Sequence, residues 1–324
     1  MRAVVIEGAG GPDVLSVQDV PDPVPGAGEV LIDVVAAGLN RADVQQRRGL
    51  YPPPRGASPL PGLEVSGRIA DAGDSAFAVG DAVVALLAGG GYAERVAVPA
   101  GQVVPAPDGV DLVDAAGLPE TAATVWSNLV LQAGLAEGEH VLIHGASGGI
   151  GVMAVQVGLA LGAVPLVTAG SAAKLDVARS LGVRTLIDYR EQDFVEEVRA
   201  ATGGRGADVI LDVVGAKYLA RNVESLATGG RLVVIGLQGG ATAELDLGML
   251  MGKRASVAGT TLRSRPVAEK TAILAAVRDN VWPLVATGAV KPFVGRTFPL
   301  AEAAAAHAYF DSGEHTGKIL LVMD

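Results

Sequence analysis

A chain of 324 residues with a formal charge of −10 is long enough for about two domains, and its acidity disfavours nucleic acid and anionic membranes, which both reward a basic surface. It contains no cysteine, which removes disulfides, thiol nucleophiles and every cysteine-based zinc site, and suits a reducing compartment. The opening Met1-Arg2-Ala3-Val4-Val5-Ile6-Glu7 reads as a strand and not as the apolar core of a signal peptide, so a cytoplasmic location is expected.

Up to about residue 120 the chain reads as short strands punctuated by Gly and Pro, at 3–7, 29–36, 63–72, 81–87 and 92–99. Turn signals at this spacing predict a partly β, barrel-like domain. Within it Asn40-Arg41-Ala42-Asp43 opens a short helix, with Asn40 as N-cap, Asp43 at the third position, and Arg47 and Arg48 in the last turn before Gly49. After Pro119 a longer helix is expected over about 121–131.

From Val141 strands alternate with helices. Strands are expected at 141–144, 164–168, 184–187, 208–212, 231–235 and 255–259, with helices at 150–161, 172–181, 194–201 and 217–226 between them. Strands so linked predict a doubly wound parallel Rossmann sheet in the order 3-2-1-4-5-6. The tail carries a helix at about 268–287, a strand at 296–298, an Ala-rich helix at 301–312 and a last strand at 318–322. It is too short to bury a core alone, so it is expected to complete the first domain. The expected arrangement is an α/β chain with residues 1–123 and 261–324 in one domain, 124–260 in the other, and a cleft between them.

No Asp, Glu, Lys or Arg occurs from Val141 through Ala173, a stretch longer than a bilayer span. Gly148, Gly149, Gly151, Gly158, Gly162 and Pro165 divide it at βαβ lengths, so a helix buried against a parallel sheet is the better reading. Its turn, Ala146-Ser147-Gly148-Gly149-Ile150-Gly151, fits G/A-x-G-x-x-G between a strand and a helix. Gly148 lets backbone approach a pyrophosphate, Gly151 lets the helix pack close, and the helix start offers N–H groups to phosphates. An NAD site adds an acid at the end of the second strand to hold the ribose 2′-hydroxyl. Here the strand ends in Ala169-Gly170-Ser171, and the nearest charge is Lys174, where a cation meets a 2′-phosphate. The expected cofactor is NADPH. The competing reading is a turn that only closes a βα unit, with Lys174 solvated.

Several motifs resemble the medium-chain dehydrogenase/reductases, in their zinc-free quinone oxidoreductase or zeta-crystallin branch. They are Gly38-Leu39-Asn40-Arg41-Ala42-Asp43, Gly49-Leu50-Tyr51-Pro52-Pro53-Pro54, Gly62-Leu63-Glu64-Val65-Ser66-Gly67, the glycine turn, and Gly203-Gly204-Arg205-Gly206-Ala207-Asp208. Val167-Thr168-Ala169-Gly170-Ser171 and Leu262-Arg263-Ser264-Arg265 look closest to the tumour-suppressor-inducible animal subgroup. The resemblance implies a GroES-like substrate domain beside the Rossmann domain.

Zinc-bearing members of that family hold the catalytic metal with Cys, His and Cys in the slots matching Asn40, Leu63 and Glu120. Leucine cannot ligate, and Asn40 with Glu120 makes no stable zinc site, so metal-dependent alcohol oxidation is disfavoured. Glu64 is expected to be structural. The resemblance carries over as cofactor contacts Ser147, Gly148, Gly149 and Ile150 at the pyrophosphate, and Gly170, Ser171, Lys174 and Tyr189 at the 2′-phosphate. It likewise implies Val214, Gly236 and Leu237 at the riboses, and Asn40, Tyr51, Thr124, Val125 and Arg263 on the nicotinamide side. Asn40 could equally be an N-cap, Tyr51 could close the proline turn, and Thr124 could be a buried helix hydroxyl.

A quinone accepts hydride readily, so such a site must mainly hold nicotinamide C4 against the ring and exclude water, with Asn40 and Tyr51 the candidate catalytic residues and Tyr51 or water the proton donor. The expected function is NADPH-dependent quinone reduction. The alternatives are reduction of an enone or enoyl thioester on the same fold, or a non-enzymatic NADPH-binding or RNA-binding role. His140, His144, His307 and His315 are assigned to packing or solvent. A homodimer through the strand near 255–259 is implied by the family.

Overall fold

The computed structural model describes residues 1–323 and divides into two units, Met1–Ala123 with the chain from Leu262 onward, and Thr124–Thr261.

The first unit is built on a seven-stranded mixed sheet. Side by side lie Val294–Pro299, Lys318–Val322, Glu29–Gly38, Glu64–Asp71, Ala82–Leu86 and Val103–Pro105, while Arg95–Pro99 pairs the early part of Glu29–Gly38. Alternation along Glu29–Gly38 puts Val30, Ile32 and Val34 into the core with Val65, Val83, Val96 and Leu321. The tail supplies two strands of this sheet. Two strands had not been expected: Leu15–Asp19, which pairs with Arg2–Ile6, and the three-residue Val103–Pro105. The strand expected from residue 92 begins at Arg95; Tyr92 is buried ahead of it and its hydroxyl donates to Asp43.

The registers of this sheet decide what meets at its edge. Val65 pairs with Ala37, so Glu64 falls opposite Gly38; Leu320 also pairs with Gly38, and two residues further Lys318 falls opposite Asn40. A side chain at position 38 would overlap the Glu64 carboxylate, which is why that motif carries glycine.

The second unit is a six-stranded parallel sheet whose strands are His140–His144, Val164–Ala169, Thr185–Asp188, Ala207–Asp212, Leu226–Val234 and Ser256–Gly259. Numbered in chain order they lie 3-2-1-4-5-6, the predicted order. The helix Gly149–Ala160 is buried from Gly151 through Gly158, the residues of the uncharged stretch that mimics a membrane span. Among the described residues no helix is long and apolar enough to cross a membrane.

Three helices differ from expectation, the tail helix expected over about 268–287 being broken at Val281 into Val267–Asn280 and Trp282–Ala286. The helix after Pro119 is α-helical over Pro119–Val125 and continues as a π-helix over Trp126–Gln132, a change that leaves no trace in periodicity. The segment 217–226 begins as a 3-10 turn, Ala216–Tyr218, before the helix Leu219–Ser225, and the fifth strand starts at Leu226.

Candidate active site

In the parallel-sheet unit the glycine turn leads directly from the first strand into the helix Gly149–Ala160, with Gly148 extended at the N-cap. A Cβ on Gly151 would overlap the Gly145 carbonyl and sit 2.6 Å from the Ala146 Cα, so the helix start is pressed onto the turn. Ser147, Gly148, Gly149 and Ile150 therefore place backbone N–H groups at one end of the sheet, where a helix terminus favours negative charge.

The neighbouring strand ends add the rest of the cradle. Asp188 pairs with Ala169, which brings the following residues beside Gly170. A Cβ there would overlap the Tyr189 hydroxyl and lie 3.2 Å from Arg190 Nε. Ser171 caps the next helix through Oγ to the Lys174 N–H, and Lys174 stands in its first turn. Arg190 was not singled out from the sequence; the register of strands two and three was the signal that could have found it.

At the fourth strand the buried Asp212 accepts from the N–H groups of Val214 at 2.6 Å and Gly215 at 3.0 Å, fixing the loop. Burial raises its pKa, against those two bonds. The Val214 carbonyl accepts from Gly239 at 2.6 Å, so the Val214 loop and the Gly236–Leu237 loop are brought together, with Leu237 left exposed. These residues all lie at carboxyl ends of parallel strands, around the point where the strand order reverses, the place an open α/β sheet reserves for ligands. A tight turn and a glycine shelf at the strand ends fit a dinucleotide.

Thr124 and Val125 are buried, and the Thr124 carbonyl accepts from Asn128 Nδ2 at 2.7 Å, while Asn128 Oδ1 accepts from Thr260 at 2.5 Å. His144 is wholly buried between Thr168 and Asn222, to which its ring nitrogens bond at 2.9 and 2.8 Å, with Phe194 and Tyr218 edge-on. Burial lowers its pKa to about 4, so it is a neutral packing residue.

The other unit gathers charge. Glu64 has no exposed surface, and its Oε1 accepts from Lys318 Nζ at 2.6 Å and from Asn40 Nδ2 at 2.9 Å. Its Oε2 accepts the Glu120 backbone N–H at 2.9 Å. Lys318 completes its bonds on Asn40 Oδ1 at 2.8 Å and the Leu39 carbonyl at 2.9 Å. Asp43 accepts from the N–H groups of Asn40 and Gly62 and from the Tyr92 hydroxyl, and burial pushes its carboxyl up to about 6 against those N–H bonds. Asn40 thus holds the N-cap position, as expected, but turns its amide to Glu64 and Lys318.

Tyr51 lies in a half-buried loop held by Arg263. The Arg263 guanidinium reaches the Ala88 carbonyl at 2.8 Å, Gln46 Oε1 at 2.6 Å and the Tyr51 carbonyl at 3.3 Å, and stands 5.4 Å from the Tyr51 ring centre. Arg263, expected beside the nicotinamide, is therefore engaged in holding this loop. Lys270, from the helix Val267–Asn280, is buried with Nζ 3.4 Å from the Arg263 carbonyl. Sequence reasoning missed Lys318 and Lys270, and named Glu120 only as a failed zinc ligand. No group of three or more His, Cys, Asp or Glu side chains among the described residues could hold a metal.

Two family models match the chain: one described as an alcohol dehydrogenase GroES-like domain over residues 26–108, and one as a zinc-binding dehydrogenase over residues 149–277. The chain is 33% identical over 331 residues to a rat quinone oxidoreductase, covering all of this chain and 98% of that protein. It is also 33% identical over 328 residues to the human one, with the same coverage. Among solved structures it is similar to Escherichia coli quinone oxidoreductase complexed with NADPH, with a TM-score of 0.88, 30% identity and coverage of 99% and 100% of the two chains. The CurK enoyl reductase gives the same TM-score and identity, with coverage of 100% and 99%.

Proposed function

Because the chain belongs to the quinone oxidoreductase branch of the medium-chain dehydrogenase/reductases, we propose that it reduces quinones with NADPH and without a metal. The observation that supports its metal-free part is the Lys318 ammonium, 2.6 Å from Glu64 and 2.8 Å from Asn40, with the Glu120 N–H on the other Glu64 oxygen. A fixed cation among those side chains opposes a divalent ion, and a leucine offers it no ligand. The donor set does not fit the zinc that one family model's description names.

When bound, a dihydronicotinamide supplies the hydride. The chain's residues bind and orient. Ser147 to Ile150 direct N–H groups to the pyrophosphate, and Gly170, Ser171, Lys174, Tyr189 and Arg190 form the 2′-phosphate pocket. Val214, Gly236 and Leu237 line the riboses. On the substrate side Arg263 fixes Tyr51, and Lys318 with Glu64 fixes Asn40, so two polar side chains are positioned before substrate arrives. A small-molecule acceptor in a cytoplasmic homodimer, paired through the sheet-edge strand Ser256–Gly259, completes this reading.

The test is a steady-state panel with 9,10-phenanthrenequinone and crotonyl thioester, each with NADPH and NADH and with a chelator. Quinone turnover with NADPH, unchanged by the chelator, is expected; turnover of the thioester alone replaces the reading with enoyl reduction. A Lys174–phosphate contact is worth roughly 1.5–3 kcal/mol, so Lys174→Ala should cut the preference for NADPH by about ten- to a hundredfold. An unchanged ratio overturns the cofactor assignment.

A further inference from the structure

We propose that Glu120 is the proton donor of this site, its carboxyl giving up the proton that completes reduction of the acceptor. The proposal rests on the preceding reading, hydride reduction of a quinone or conjugated carbonyl.

The geometry begins with what surrounds the carboxyl. Glu120 opens the helix Pro119–Val125, but its own N–H is already given to Glu64, and its Oε2 is buried with no hydrogen-bond partner. Glu64, on the strand Glu64–Asp71, takes both Lys318 and Asn40 on Oε1, so the lysine that balances the cluster is bound to the other carboxylate. Asp43, on the helix Arg41–Arg47, adds a further buried acid. The remaining cations nearby are Lys270, whose Nζ rests on the Arg263 carbonyl, and Arg263, which holds the Tyr51 loop. With Lys318 bound to Glu64 and no partner on its own Oε2, Glu120 is the carboxyl of this group left to retain a proton.

The acid strength agrees. Burial pushes the Glu120 carboxyl up to about 8, with the Glu64 carboxylate and Asp43 adding to the shift and Lys318 and Lys270 opposing it. Tyr51 is the rival donor, but burial moves its hydroxyl further above its ordinary range, and Glu120 adds to that against the pull of Arg263. A donor poised near neutral pH transfers better than one well above it.

The step balances with reduced nicotinamide as the two-electron source. Hydride transfer to a quinone gives a hydroquinone monoanion, and transfer to the β-carbon of an enone gives an enolate. In either case the Glu120 O–H bond breaks and an O–H or C–H bond forms on the product. Glu120 is left as a carboxylate beside Glu64, an arrangement whose repulsion favours recovery of a proton from solvent.

Glu120→Gln keeps the shape and removes the acid. Wild-type kcat should fall as pH rises through about 8, because the protonated form is the donor. In E120Q kcat should drop by about a hundredfold, the low end for a lost general acid, the fall with pH should vanish, and KM for NADPH should stay unchanged. Added formate should restore turnover to Glu120→Ala in proportion to its acid form, which no structural role explains. Infrared difference spectra of the ligand-free protein should show a protonated carboxyl at neutral pH that E120Q lacks. An active wild type whose E120Q variant keeps its rate and pH profile overturns the donor role alone, as does absence of that infrared band. A wild type inert towards every quinone and enone overturns the reduction reading, and the donor role falls with it.

Discussion

In the unit formed by residues 1–123 and the chain from Leu262, polar side chains are buried against one another: Asp43, Glu64 and Lys318, with Arg263 and Lys270 beside them. In the unit Thr124–Thr261, the stretch from Val141 through Ala173 carries no Asp, Glu, Lys or Arg, and its candidate site is made of strand ends and close backbone contacts. One region sets its chemistry by charge held in low dielectric, the other by shape. The contrast predicts different kinds of failure. In the first, removing one group strands another; in the second, adding one atom is enough to disturb the site.

The largest effect is expected where charge is stranded. Glu64→Leu leaves the Lys318 ammonium buried opposite Asn40 without its carboxylate, and should cost about 3–5 kcal/mol in denaturant unfolding. Adding Lys318→Met should recover most of that loss, since an apolar pair of similar volume needs no counter-charge. If the single variant is as stable as the wild type, the cluster is not held by charge and the contrast between the units fails.

Shape is tested by Gly151→Ala. The added methyl overlaps the Gly145 carbonyl and the Ala146 backbone, neither of which can swing aside, so about 1–3 kcal/mol of stability should be lost along with tight dinucleotide binding. Gly170→Ala is the control, because there the overlapped atom is the hydroxyl tip of Tyr189, a half-exposed side chain with room to move. Thermal melts would read both; equal losses of stability at the two glycines would mean that backbone crowding is not what matters.

The same contrast explains what could be read from the chain. Strand order in the parallel unit was legible because each connection is local: a strand, a glycine turn and a helix that returns to the sheet. The glycine turn, Gly170 and Lys174 lie within one such unit and could be read together. Lys318 could not, because it meets Asn40 across 278 residues and only the register of the last strand brings them opposite. Leu15–Asp19 did carry an alternating signal, Leu15 and Val17 inward, which the short loop before it obscured. Glu120 was visible as a residue but not as an acid, since its state depends first on burial and then on the neighbouring Glu64, which the fold alone brings about.

His144 gives the smallest and most discriminating test, for it is the ionisable side chain within the stretch from Val141 through Ala173. Its neutral ring is held by Thr168 and Asn222, and its pKa falls from 6.5 to about 4. Between those values the unfolded chain takes up a proton that the native ring refuses, so stability must fall as pH falls through that window and stay level above it. His307, held near Arg47 with a pKa lowered to about 3 chiefly by burial, acts in the same direction in the other unit. His144→Asn should lose about 1 kcal/mol at pH 8 through weakened hydrogen bonding, and that deficit should shrink and then reverse as the pH is lowered from 6.5 to 4, because the wild type alone carries the His144 proton penalty, about 3 kcal/mol by pH 4. His307 contributes equally to both proteins and cancels. A deficit that stays constant with pH would show that the His144 ring protonates freely in the folded state, and that the uncharged region tolerates charge as readily as the cluster around Glu64.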